Sequence, residues 1–212
     1  MESIWHQTSA AAPRPPLEED LSAEAAVIGG GMAGILTAAL LEEAGVRTVV
    51  LEADRVGSGQ TGNTTAKVTS QHGDCYRRLE ERLGAEAAVQ YAGAGQEAVE
   101  AFRQLIRRRR LDCAWEELPA YLYALSPRSS LEEEAAAQQR AGLPVRLTRK
   151  TGLPFPVKEA LRCDGQGQLH PLRLLHALSR ELTVYEGARV LAAEGDRLHT
   201  AGGSVRAERI IF

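Results

Sequence analysis

Three glycines carry the clearest chemistry in this chain, in the pattern Gly29-x-Gly31-x-x-Gly34, and Glu52 follows 23 residues after Gly29. Gly29 permits a tight turn. Gly31 has no Cβ, so a pyrophosphate can approach the backbone. Gly34 lets a helix pack closely against the preceding strand. A helix that begins at such a turn offers free N–H groups and a partial positive charge to phosphate oxygens. A carboxylate at Glu52 would accept hydrogen bonds from a ribose hydroxyl pair and would repel a 2′-phosphate. The pattern predicts a dinucleotide site. Its spacing does not by itself separate NAD from FAD.

Such a site needs a strand before the glycines, a helix after them and a second strand ending at the acid. Ala25–Ile28 is a short apolar run that stops at glycine and reads as a buried strand. Residues 32–44 hold strong helix formers with an apolar face at Ile35, Ala38 and Leu41, and Gly45 ends that helix. Arg47–Leu51 is a β-branched strand closed by Glu52, which completes a βαβ unit. Residues 1–24 read as an extended arm, because Pro13, Pro15 and Pro16 forbid regular helix. Residues 53–73 form a Gly- and Thr-rich loop, and a loop of that length is usually functional. Residues 74–110 are helical and broken near Gly84, with Val89, Tyr91, Ala92, Val99, Phe102, Leu105 and Ile106 as core positions. Arg107–Arg110 suit a solvated last turn, where cations meet the negative end of the helix dipole.

The character changes at about residue 112. Trp115 and Tyr121–Leu125 read as strands around a turn at Pro119, and Leu131–Ala141 as a helix. Residues 142–168 mix short strands and loops. Pro171 starts a helix that runs to about Leu182. Short strands come after it from Val184, with a hairpin turn at Gly202-Gly203. Arg209–Phe212 looks like the first half of a buried strand with its apolar residues unpaired, and the sequence is expected to be the N-terminal portion of a longer polypeptide.

The segments around the glycines and the acid resemble a known family. Val27-Ile28-Gly29-Gly30-Gly31-Met32-Ala33-Gly34 and Glu52-Ala53-Asp54-Arg55-Val56-Gly57-Ser58-Gly59 are similar to the FAD-dependent oxidoreductases of the D-amino-acid oxidase and glycine oxidase superfamily. There, an Arg-x-Gly-x-Gly segment leads into a flavin-cradling loop, which here is Gln60–Lys67. Leu169–Leu178 resembles the helix that returns from the substrate domain. Glu186–Val190 resembles the strand whose valine backbone meets the adenine, and Arg206–Phe212 the strand before the next glycine turn. The resemblance implies an α/β fold: an FAD-binding Rossmann-like βαβ domain over 25–111, a partial β-rich α+β substrate domain over 112–168, and a truncated return to the FAD domain over 169–212. It implies cofactor contacts from Gly29, Gly31, Met32, Ala33, Gly34, Glu52, Ala53, Arg55, Gly59, Thr61, Thr64, Thr65, Ala66 and Val190. It also implies two-electron oxidation of a small-molecule substrate, at a C–N bond of an amine or amino acid, by hydride transfer to the flavin. No catalytic side chain is identified.

Ser3-Ile4-Trp5 and Thr64–Gly73 further resemble bacterial members that carry a C-terminal Rieske domain. A Rieske centre needs two Cys and two His ligands. Cys75, Cys113 and Cys163 have no partner at such spacing, so a [2Fe-2S] cluster would lie beyond Phe212. Asn63 stands where some flavin enzymes place a covalently linked histidine, which implies non-covalent FAD. His72 reads as a structural or flavin-proximal polar group, and Lys67 as a surface or loop-pinning lysine, the alternative being a positive charge near the flavin that would stabilise its reduced anion. Two other readings remain: a non-catalytic flavin- or nucleotide-binding module that passes electrons to an iron–sulfur domain, and an NAD-dependent dehydrogenase.

Composition narrows the class. The 212 residues are 44% hydrophobic and 25% charged with a net charge of −3, typical of a globular chain. That balance gives no reason to expect nucleic acid or an anionic membrane. No apolar run reaches the ~20 residues of a membrane span, and the N-terminus has no apolar signal core. Three scattered cysteines fit a reducing, cytoplasmic setting and disfavour a metal site. His170 and His176 lie six apart and share no helix face, while His6 and His199 look exposed.

Overall fold

The apolar run before the glycines forms the middle of a six-stranded sheet. In the computed structural model, described over residues 2–126 and 131–212, β1 (Leu21–Ile28) pairs in parallel with β2 (Thr48–Leu51) and with the last strand. Met1 and residues 127–130, within the expected arm and second domain, lie outside the described residues. Ala25, Ala26 and Val27 are buried, as expected of a strand covered on both faces. Helix α1 (Ile4–Thr8) precedes β1, and helix α2 (Met32–Glu43) links β1 to β2. The α2 helix buries Ile35, Ala38 and Ala39, whereas Leu41 is only half-buried. It closes with Gly45 at φ +82°, where the Val46 N–H reaches the Leu41 carbonyl at 2.9 Å.

The chain divides into two compact units. The first runs to Ala66 and adds Leu111–Cys113 and His170–Phe212. Its sheet has the order β7-β2-β1-β10-β9-β8, with β7 (Thr183–Tyr185), β8 (Ala192–Glu194), β9 (Arg197–His199) and β10 (Ser204–Ile211). Ile210 and Ile211 are therefore not unpaired: they lie in register with Ala26 and Val27 at the end of an eight-residue strand. Helix α6 (Pro171–Ser179) buries Leu172, Leu174, Leu175 and Leu178, and it stops three residues short of Leu182 in a tight turn from Ser179.

The expected extended arm needs correction. Ile4–Thr8 is a helical turn, because the prolines that forbid helix begin only at Pro13. The strand also starts at Leu21 rather than Ala25, because β10 supplies a partner from Val205 onward. Leu17 is buried, and a Cβ on Gly202 or Gly203 would clash with the arm carbonyls of Leu17 and Glu19.

The second unit holds residues 67–110 and 114–169. Its sheet has the order β3-β6-β4, with β5 also on β6: β3 (Lys67–Val68), β4 (Glu116–Ala124), β5 (Val145–Thr148) and β6 (Glu159–Gln168). Helices α3 (Cys75–Leu83), α4 (Ala85–Arg109) and α5 (Glu132–Arg140) complete it. Residues 67–110 therefore group with the second sheet rather than with the glycine motif, since Tyr76, Ala88 and Ala92 share a core with Ala135, Leu161 and Cys163. Pro119 does not make a turn. It sits inside one continuous strand, where its missing N–H coincides with a register shift between Leu118 and Ala120. Val89 and Tyr91 are exposed, not core, because the buried stripe of α4 runs through Ala88, Ala92, Val99 and Ile106. Among the described residues no helix is long and apolar enough to cross a membrane.

Candidate functional site

The glycine turn is built by backbone necessity. Gly29 has φ +108°, a region that residues with a Cβ avoid, and its N–H donates to the Leu51 carbonyl at 2.9 Å. A Cβ on Gly34 would run into the Gly29 carbonyl oxygen, so only glycine lets α2 start this close to β1. Gly31 is the N-cap of α2 and has no side chain to satisfy the first-turn N–H groups. A cavity of about 380 Å³ opens there, lined by Gly29, Gly31, Met32, Ala33, Gly34 and Thr61 among others. The Met32 N–H donates to Thr61 Oγ1 at 3.0 Å. The loop after the acid thus reaches the helix N-terminus, the position where anions bind best.

Glu52 is held rather than free. Its Oε2 accepts from the Gly30 N–H at 2.6 Å, and its Oε1 accepts from the Asp54 N–H at 2.8 Å. Each oxygen keeps a second lone pair, so the carboxylate stays able to accept from a ribose. Its backbone is fixed as well, through the Tyr185 carbonyl and the Ala188 N–H at 2.9 and 2.8 Å. Ala53 is half-buried beside it.

Other sequence-selected residues lie apart from that cavity. Arg55 turns to Glu186 at 2.8 Å and to the Ala11 carbonyl at 3.1 Å. Gly57 donates to the Gly30 carbonyl at 3.0 Å, has φ +75°, and presses on Leu172 of α6, so the Arg-x-Gly-x-Gly run is pinned to the glycine turn. Gly59 is exposed and precedes a 3-10 turn, Gln60–Asn63, in which Asn63 Nδ2 donates back to the Gly59 carbonyl at 2.9 Å. Thr65 is exposed. Buried Ala66 takes φ +58°, with its N–H on Thr64 Oγ1 at 3.2 Å. Val190 is half-buried in an irregular run between β7 and β8, not in a strand.

A layer of buried polar groups that the sequence does not reveal supports this site. Glu186 is buried and accepts from the N–H groups of Arg14 and Val56 at 2.9 and 2.8 Å, while also pairing with Arg55. His170 caps α6: its Nδ1 accepts from the Arg173 N–H at 3.3 Å, and its Nε2 meets Thr8 Oγ1 at 3.0 Å. Thr8 donates its own proton to the Ile4 carbonyl at 2.5 Å, so the neutral Nε2–H tautomer satisfies every partner. Burial pushes the His170 pKa down, assisted by the Arg173 charge. Burial lowers that of His176 as well, and His176 Nδ1 lies 3.1 Å from Ser9 Oγ. His6 is half-buried against Gly62, not exposed, and His199 is half-buried too. The one sequence signal for this layer was the run of polar and aromatic side chains, Ser3 to Ser9, ahead of the prolines of the arm.

In the second unit, His72 meets the Tyr91 hydroxyl at 2.9 Å and Lys67 is exposed on β3. Burial pushes the Cys163 thiol up to about 11, which keeps it protonated and unreactive near neutral pH. The described residues include no cluster of three His, Cys, Asp or Glu that could hold a metal.

A protein-family profile described as "DAO: FAD dependent oxidoreductase" matches residues 24–212. The chain belongs to this family. It is 34% identical over 191 residues to YhfW of Bacillus subtilis (strain 168), provisionally named a Rieske 2Fe-2S iron–sulfur protein, covering 89% of this chain and 37% of that one. It is 29% identical to the gamma-glutamylputrescine oxidoreductase of Escherichia coli (strain K12), covering 92% of this chain and 48% of that one. The chain thus spans half or less of these curated relatives. Glycine oxidase from Geobacillus kaustophilus shares the fold at TM-score 0.72 and 21% identity, covering 90% of this chain and 54% of that one. An L-amino acid deaminase from Proteus myxofaciens does so at TM-score 0.72 and 18% identity, covering 99% and 48%. The residues present fit the family's dinucleotide: Gly31 gives α2 no side-chain cap of its own, Thr61 Oγ1 takes only the Met32 N–H, and the helix start opens on a cavity, with a fixed carboxylate just after β2.

Proposed function

We propose that this chain forms the dinucleotide-binding part of an FAD-dependent oxidoreductase that oxidises a C–N bond of an amine or amino acid. The observation that carries the reading is the α2 N-terminus, where Gly31 offers no side-chain cap and the helix start, with only its Met32 N–H taken by Thr61, lines a cavity with Ala33 and Gly34. Its first-turn N–H groups would receive the pyrophosphate, with Thr61 closing the far side of the turn. Glu52, oriented by Gly30 and Asp54, would hold the adenosine ribose. Asn63 has no nucleophilic ring nitrogen, and its amide is engaged by the Gly59 carbonyl, so the cofactor is held without a covalent bond. When bound, FAD supplies a two-electron acceptor, while the protein supplies position and electrostatics.

The choice of a C–N bond is supported by similar proteins named as a gamma-glutamylputrescine oxidoreductase, an L-amino acid deaminase and a glycine oxidase. A Rieske-named relative at 34% identity supports an iron–sulfur domain or partner as electron acceptor. Three free cysteines fit a reducing compartment such as the cytoplasm. The test is purification of the full polypeptide. The expected result is a yellow protein that releases FAD on mild acid treatment and is bleached anaerobically by an amine or amino acid. A colourless protein that binds NAD, or a flavoprotein that no amine or amino acid reduces, would count against it.

A further inference from the structure

The amino-terminal arm touches the loop after the acid at three closely spaced residues. Ser3 Oγ donates to the Gly62 carbonyl. The Trp5 indole N–H donates to the Thr64 carbonyl at 2.8 Å. The His6 ring, together with the Gly57 carbonyl, fills the space where a side chain at residue 62 would stand, so the arm packs directly on Gly62. The arm is itself anchored. The Trp5 ring packs edge-on against His170 at 5.0 Å, Thr8 bonds His170, and Ser9 bonds His176, all on α6 or its cap.

This loop is not self-sufficient. Two residues after Thr64, Ala66 holds φ +58°, a left-handed conformation that costs an alanine free energy and persists only where surroundings impose it. In a trans peptide, such as those of this loop, the C=O and the next N–H point in opposite directions. By taking the Gly62 and Thr64 carbonyls, the arm therefore turns the Asn63 and Thr65 N–H groups away from itself. The same loop places Thr61 Oγ1 on the Met32 N–H at the mouth of the cavity.

We propose that the arm is a strap that sets the 59–66 loop for cofactor binding, with Trp5 as a positioning residue and α6 as its anchor. The proposal rests on the dinucleotide reading of the α2 N-terminus. Arm order and cofactor affinity are then linked: whatever loosens the arm weakens the cofactor, and bound cofactor tightens the arm.

The experiment uses the full polypeptide stripped of flavin and titrated with FAD. Trp5→Phe keeps a ring against His170 and removes only the indole donor. The FAD dissociation constant should rise about three- to tenfold, the scale of one lost hydrogen bond, with only a small fall in the apo melting temperature. Deletion of residues 2–9 should weaken FAD further, and a synthetic peptide of residues 2–12 added in trans should restore part of the loss. A merely structural arm would lower the melting temperature and leave the dissociation constant alone. Dissociation constants within twofold of the parent for both variants would overturn the strap and leave the cofactor reading standing. A parent protein that binds no FAD would overturn both.

Discussion

At the residue scale, each glycine of the motif answers a different constraint. Gly29 is set by backbone conformation, Gly34 by the distance between α2 and β1, and Gly31 by open space at the helix start. The last is where the proposed phosphate site makes its demand, because the Gly31 position itself is uncrowded. A Cβ there would lie 3.5 Å from Thr61 Oγ1, so substitution should spare the fold and spoil the ligand site. Gly31→Val is expected to lower FAD affinity at least about tenfold, since each charge-assisted hydrogen bond lost is worth about 1.5–3 kcal/mol. Flavin content of the purified variant checks this, and a full complement of flavin would place the phosphates elsewhere. Glu52→Ala should behave differently. It removes the proposed ribose acceptor, which should weaken FAD by about 1–3 kcal/mol. It also strips the Gly30 and Asp54 N–H groups of their partner, so apo stability should fall too. Titration of the apo protein together with its thermal melting separates the two losses. An unchanged affinity would show that the ribose is held by other groups.

At the scale of elements, buried polar side chains join segments that local propensity would leave separate. Glu134 of α5 accepts from the Tyr76 and Arg77 N–H groups at 3.0 Å each and so caps α3, whose own N-cap Asp74 makes no side-chain cap bond. His170 does the same for α6 while holding the arm. Its pKa is depressed, so the unfolded chain binds a proton more readily than the folded one as pH falls through its ordinary value of about 6.5. The stabilisation is therefore complete above that value and lost as pH drops below it. His176 shifts in the same direction and adds to the effect. His170→Asn keeps an N-cap acceptor but cannot titrate. Melting curves between about pH 7.5 and 5 should fall less steeply for the variant than for the parent. An equally steep fall would assign the acid sensitivity to other groups.

At the scale of the whole molecule, the two units have separate cores. One is centred on Ala26, Leu51 and Val205, and the other on Tyr76, Leu161 and Cys163. The cofactor residues selected from the sequence all fall in the first. Ligand that binds only the folded first unit stabilises it by about 2.7 kcal/mol at a hundredfold excess over the dissociation constant. Hydrogen exchange with saturating FAD should therefore slow most in β1, β2 and β10, with little change around Leu161. Equal slowing in both would show that the two units open as one.

The βαβ unit was legible because everything that specifies it is local. Ala25–Ile28 is apolar throughout, the three glycines meet constraints set within a short stretch of chain, and Gly45 ends the helix before it. Helix starts and stops at Pro171 and Gly84 were legible for the same reason. The strand through Pro119 was not, because a ten-residue partner, β6, carries it across a residue that by itself suggests a turn. Nor were Val89 and Tyr91, since an apolar residue reveals its hydrophobicity but not which side of α4 finds a partner. The arm, Glu186 and His170 lay furthest out of reach. Their contacts join residues more than a hundred positions apart: Arg14 and Val56 to Glu186, and Thr8 to His170. The sequence alone determined where the chain turns tightly into an uncrowded helix start, because glycine geometry is a property of the backbone. Only the tertiary structure decided what holds that backbone in place, because the partners of a buried polar group are chosen by packing.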